Sequence, residues 1–238
     1  MTIFVAHRGD PVSYRENTLP AFSAAEKAGA HMLELDVQLS KDGQCVILHD
    51  DRLNRLWNVD AAVEDITFSE IQRVTSGDPY DIPLLHDVLS STSIPLMIDV
   101  KDESTIDPIA DVLAAHDAVA RALVVGGNVH AHRRARKRMP DVQLGLTWND
   151  ATPPGQELLR ECRFQYFNPP WWLLLQSDLD VQRLDPDVVP HMKEQGIGLS
   201  VWTVDNVEVM WDLVNIGADV IISNRVADLR SAFEARQK

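Results

Sequence analysis

Cysteine is nearly absent from this 238-residue chain. Cys45 and Cys162 are the only two, too few and too far apart for a disulfide framework or a thiolate metal site. Positive charge is also scarce, 22 Lys and Arg against 36 Asp and Glu, for a formal net charge of −14. Such a balance repels the phosphates that basic proteins gather on, so nucleic acid is not expected as a partner. No apolar run approaches the ~18 residues of a bilayer span, so no stable membrane insertion is expected. The first apolar run begins at Ile3, which leaves no room for a charged and then hydrophobic leader, and a cytoplasmic location is the expectation. The one basic run, His132 to Arg138, reads as the solvated outer face of a helix. Oligomeric state has no signature in the sequence.

What is present is an ordinary globular mixture, 45% hydrophobic and 24% charged, of a length that one domain over residues 1–238 accommodates. Short runs rich in Val, Ile and Leu recur at Ile3–Ala6, 32–39, 45–48, Leu96–Val100, 123–125, 142–146, 164–167, Gly198–Val201 and 220–222. Helix-length segments such as 18–28, Ile106–Ala115 and 129–139 separate most of them, the pattern of a parallel sheet covered on both faces. Only five residues part Leu39 from Cys45, whereas a parallel crossover needs about a dozen. Those two runs are therefore expected to form an antiparallel hairpin. Setting that excursion aside leaves eight parallel strands, the number that closes a TIM (β/α)8 barrel. The least regular stretch, Asp51 to Asp81, reads as an insertion near the barrel mouth.

In such a barrel the C-terminal strand ends carry the chemistry. Here the first strand ends in His7-Arg8, the second carries Glu34 and Asp36, the hairpin returns at His49-Asp50, and the next ends in Asp99 and Lys101. Residues i and i+2 of a strand share a face, so Glu34 and Asp36 project together. If Asp42-Gly43 is a two-residue turn, counting back sets Asp36 opposite His49. Paired carboxylates repel unless they share a proton or bind a cation. With Asp99 added and no clustered thiols, they suit a hard divalent ion, Mg²⁺ or Ca²⁺. His7 and His49 then read as proton carriers, and Arg8 and Lys101 as cationic contacts for an anionic substrate. A cation, two acid/base groups and two basic side chains suit phosphodiester cleavage.

The motifs His7-Arg8-Gly9, Glu16-Asn17-Thr18, Ala21-Phe22, Gly29-Ala30, Glu34-Leu35-Asp36-Val37, Asp42-Gly43 and His49-Asp50 together make the chain resemble the glycerophosphodiester phosphodiesterase family. Ile98-Asp99-Val100-Lys101, Val201-Trp202-Thr203-Val204 and Gly217-Ala218-Asp219 extend the likeness along nearly the whole chain. The resemblance implies a TIM barrel that uses a divalent cation to hydrolyse small glycerophosphodiesters to glycerol 3-phosphate and an alcohol. It implies His7 and His49 as the acid/base pair, and Glu34, Asp36 and Asp99 as metal ligands. Arg8 and Lys101 become phosphate contacts, and Trp202 a wall for the glycerol end. The chain departs from the family in having Asp99 where Glu is usual, Gly126-Gly127 where Ser-Phe is usual, and Ser223-Asn224 in place of Thr-Asp. The alternatives are a phospholipase D or lysophospholipase D-like phosphodiesterase, or an inactive barrel that binds a phosphate ligand.

Overall fold

The computed structural model describes residues 2–175 and 183–236. Eight parallel strands close on themselves: β1 (Ile3–Ala6), β2 (Met32–Leu39), β4 (Leu96–Val100), β5 (Ala122–Gly126), β6 (Gln143–Thr147), β7 (Tyr166–Asn168), β8 (Gly198–Val201) and β9 (Val220–Ser223). Closure comes from β1, which pairs with β2 on one side and β9 on the other. The ninth strand, β3 (Cys45–Ile47), hangs antiparallel on the outer half of β2. Helices follow most strands, among them α1 (Leu19–Lys27) after β1, α5 (Ile106–Ala115) after β4 and α6 (Val129–Arg138) after β5.

Alternation along each strand sorts the side chains into two cores. Phe4, Leu33, Leu35, Ile98 and Leu144 face outward and pack beneath the helices. Val5, Met97, Leu123, Val125 and Ile222 point inward and fill the barrel. One layer nearer the C-terminal end, the inward positions become His7, Glu34, Asp36 and Asp99. The interior turns from apolar to ionisable within two residues of chain.

The hairpin differs from the sequence reading by one residue. Leu39 pairs with Cys45 and Val37 with Ile47, so Leu48, and not His49, stands against Asp36, its N–H donating to the Asp36 carbonyl at 3.1 Å. The loop holds three residues, with Gly43 alone left-handed (φ 75°). Asp42 is kept from the two-residue turn by its carboxylate, which accepts from Ser40 Oγ at 2.6 Å and from the Phe68 N–H at 2.9 Å.

The segment after β3 is more regular than its composition suggests. It contains α2 (Asn54–Trp57) and α3 (Phe68–Val74), and buries Leu53, Trp57, Val63 and Ile71 against Val46 and Leu48 of the hairpin. The basic run needs a correction as well: His132 is fully buried and donates its Nε2–H to the Gly126 carbonyl at 2.7 Å, a contact only the N–H form can make. Arg133, Arg134 and Arg138 do lie on the exposed face, where they pair with Glu161, Asp107 and Asp111.

Candidate functional site

The first strand ends because its backbone turns left-handed at Arg8 (φ 57°) and Gly9 (φ 84°). A Cβ at Gly9 would lie 2.7 Å from the Ala21 backbone, so only glycine fits against α1 there. The turn aims the Arg8 N–H at the Glu34 side chain (Oε2, 2.9 Å) and the Arg8 guanidinium at Asp36 (Oδ2, 3.2 Å) and Glu16 (Oε1, 3.0 Å). Asn17, also left-handed and wholly buried, donates Nδ2–H to Asp36 Oδ2 at 2.8 Å. Its neighbour Thr18 caps α1 by accepting from the Ala21 N–H. The helix cap and the clamp on Asp36 are thus adjacent residues with separate tasks.

Glu34, Asp36 and Asp99 each offer a carboxylate oxygen, and these atoms lie within 4.8 Å of one another. The register of β2 and β4 puts Asp36 beside Asp99. Burial, and then the charges of Asp36 and Asp99, push the Glu34 carboxyl well above the usual carboxylate range. Burial and the Asp36 charge raise Asp99 to about 7. Asp36 is compensated most fully, its Oδ2 met by both Arg8 and Asn17. Three carboxylates whose mutual repulsion Arg8 and Asn17 offset only in part fit a hard divalent cation: the donor set is all carboxylate, without thiol or imidazole.

A histidine stands on either side of the acids. His7 Nε2 is 4.0 Å from Glu34 Oε2, and His7 Nδ1 meets Asn224 Oδ1 at 2.8 Å. Asp205 accepts from both the side-chain Nδ2 and the backbone N–H of Asn224, each at 2.8 Å. That contact turns the amide oxygen toward His7, so Nδ1 carries the proton and Nε2 is the free acceptor. Burial and the Arg8 charge lower the His7 pKa, which favours this neutral form. On the other side, His49 Nδ1 lies 2.7 Å from Asp50 Oδ1. Arg55 bridges Asp50 and Glu16, linking His49 to Arg8 through one chain of ion pairs.

Lys101 Nζ donates to the His49 carbonyl at 2.5 Å and stands exposed at the rim. Trp202 donates its indole N–H to the Asn168 carbonyl at 3.0 Å and packs edge-on against Trp172. His7, Arg8, Glu34, His49, Asp99, Lys101 and Trp202 all line one cleft of about 540 Å³ at the C-terminal mouth. Asp36 lies just beneath it, buried at 2% exposure. All eight residues singled out in the sequence therefore converge, although His49 arrives through the chain leaving β3 and not through the expected pairing. Asn17, Asp205 and Asn224 were missed as site residues. Asn224 follows the last strand directly, a position that could have flagged it; Asp205 and Asn17 have no spacing signal.

The family model for the glycerophosphoryl diester phosphodiesterase family matches residues 7–228. A glycerophosphodiester phosphodiesterase of Caldanaerobacter subterraneus is 28% identical over 243 residues, covering 94% of each chain. A probable glycerophosphodiester phosphodiesterase of Mycobacterium tuberculosis is 31% identical over 247 residues, covering 98% of this chain and 91% of its own. Among solved structures, an Oleispira antarctica phosphodiesterase in complex with the product sn-glycerol-3-phosphate superposes with a TM-score of 0.86 at 24% identity, over 98% of this chain and 97% of that one. A match that spans the barrel from its first histidine to its last helix, over nine-tenths or more of these relatives, leaves one conclusion: the chain is a phosphodiesterase and belongs to the glycerophosphoryl diester phosphodiesterase family.

Proposed function

We propose that this chain is a single-domain, cytoplasmic enzyme that hydrolyses small glycerophosphodiesters to glycerol 3-phosphate and an alcohol, with a divalent cation held by Glu34, Asp36 and Asp99. The observation that carries the reading is three carboxylates, Glu34 and Asp36 buried and Asp99 half-buried, with oxygens within 4.8 Å of one another, flanked by two histidines that are each held on the Nδ1 side. Bound there, Mg²⁺ or Ca²⁺ would neutralise charge on the phosphoryl oxygens.

The residues divide the remaining work. His7, neutral with Nε2 open, accepts a proton from water as its oxygen attacks phosphorus. The phosphorus–oxygen bond to the alcohol breaks, and His49 gives its Nε2 proton to the departing oxygen while Asp50 holds Nδ1 and offsets the imidazolium charge. Arg8 and Lys101 contribute positive charge beside the phosphate. Arg8 also offsets the acids, since its guanidinium already meets Asp36 and Glu16.

An inactive phosphate-binding barrel would not require two histidines each held by an acceptor at Nδ1 with Nε2 left open. The decisive experiment is release of glycerol 3-phosphate from glycerophosphoethanolamine by chelator-treated protein with and without Mg²⁺ or Ca²⁺. Turnover should require the ion and fall by at least about a thousandfold in His7→Ala. Ion-independent turnover, or a fully active His7→Ala, refutes the assignment.

A further inference from the structure

The acids, both histidines, Arg8 and Lys101 occupy the β1, β2 and β4 side of the mouth, and the wall formed by β5 and β6 is different in kind. Leu123 and Val125 point into the barrel, and Gly127, in the bend that directly follows β5, lines the cleft above them. A Cβ built on Gly127 finds nothing nearer than the Thr147 carbonyl at 3.5 Å. A side chain would fit there without a clash, on a residue that is exposed at the cleft wall. Its absence leaves the cleft open.

The opening is built into the frame. Gly126 adopts φ 153°, and a Cβ on it would sit 2.3 Å from the Val100 carbonyl. The Gly126 carbonyl is clamped by buried His132 at 2.7 Å. Beyond Gly127, Asn128 donates to the Lys101 carbonyl at 3.2 Å and accepts from the His130 and Ala131 N–H groups to cap α6. Pinned on both sides, Gly127 cannot move inward to narrow the gap.

The chemistry of that wall is neutral and polar: Asn128, Thr147 and Asn149 line the cleft beside Gly127. None of the four is acidic, so this wall offers no carboxylate to a trimethylammonium head group. None is a large apolar residue that would receive an acyl chain.

We infer that Gly127 is the specificity-determining position of the enzyme, and that the pocket it keeps open takes an uncharged, polyhydroxylated leaving alcohol of inositol or glycerol type. The inference rests on the proposed phosphodiesterase reaction. Its test compares kcat/KM for glycerophosphoinositol, glycerophosphocholine, glycerophosphoethanolamine and lysophosphatidylcholine, in the wild type and in Gly127→Ala, Gly127→Leu and Asn149→Ala. The wild type should favour the inositol ester over the choline ester, and Gly127→Leu should cut the inositol-to-ethanolamine ratio about tenfold. Gly127→Ala should give a smaller cut in the same direction, and keeps the test open if the leucine variant fails to fold. Asn149→Ala should lower the inositol-to-choline ratio. A ratio that stays constant across the Gly127 variants, or a wild type that prefers lysophosphatidylcholine or the choline ester, overturns the inference while leaving the phosphodiesterase reaction intact. No turnover of any of the four with either ion overturns both.

Discussion

Asp50 Oδ1 lies 2.7 Å from His49 Nδ1, and the same carboxylate is gripped by Arg55. The Arg55 hydrogen bond, with help from His49, holds the Asp50 carboxyl down at about 2. It is therefore an anion throughout the range in which an enzyme of this kind works, and fixes which His49 nitrogen faces the cleft. Asp50→Asn should lower kcat about 10- to 100-fold with little change in KM, because it disturbs orientation and charge around the proton donor and not the binding of substrate. Steady-state kinetics decide this; an unchanged kcat would mean that His49 is oriented by something else.

The acid cluster makes a prediction about stability. Asp99 titrates at about 7 in the folded chain, against about 3.9 for an exposed aspartate. Between those values the unfolded chain binds fewer protons than the folded one, so stability falls as pH rises and levels off above about 7. The loss from Asp99 alone is roughly 4 kcal/mol, and Glu34 shifts in the same direction. His7, His31 and His132, with pKa values lowered by burial, act in the opposite sense over the same range. From pH 5 to pH 8 the melting temperature of chelator-treated protein should therefore fall more, or rise less, than that of Asp99→Asn, and added Mg²⁺ or Ca²⁺ should raise it chiefly at pH 8. The same pH dependence in both proteins contradicts the account.

Asn17 separates backbone strain from side-chain function. Its φ of 57° disfavours most residues, and its amide holds Asp36. Asn17→Ala loses the amide and keeps the strain, and should destabilise the fold by about 2–4 kcal/mol. Asn17→Gly loses only the amide, and should recover about 1 kcal/mol of that loss. Both should weaken divalent-ion binding about 10- to 100-fold, measurable by titration calorimetry without substrate. Equal ion affinity in all three proteins would separate Asn17 from the ion site.

Much of this site was legible because strand alternation is a local rule. Glu34 and Asp36 had to share a face, and His7 and Asp99 had to reach the mouth, whatever the loops did. The hairpin register was not legible, since Asp42 is held by the N–H of Phe68, 26 residues away in the chain. The same is true of the His7 tautomer, set by Asn224 and Asp205 from the opposite end of the sequence. His132 misled for a different reason. Its charged neighbours signalled a solvated face, but helical geometry turns His132 and Ala135 of this run inward, and His132 closes on the Gly126 carbonyl.

The two adjacent glycines at the end of β5 should respond oppositely to the same change. At Gly126 a methyl group would meet the Val100 carbonyl at 2.3 Å, in a backbone conformation, φ 153°, that side chains rarely adopt. The obstacle is backbone in a neighbouring strand, so relief requires moving β4, which carries Asp99 and leads into Lys101. Gly126→Ala should therefore cost more than about 3 kcal/mol, and should reduce ion affinity as well. At Gly127 the nearest atom is 3.5 Å away and no left-handed backbone is required, so Gly127→Ala should change stability by less than about 1 kcal/mol. Urea unfolding of the two variants reads the contrast directly, and equal midpoints would mean that the end of β5 is far more pliant than its contacts imply.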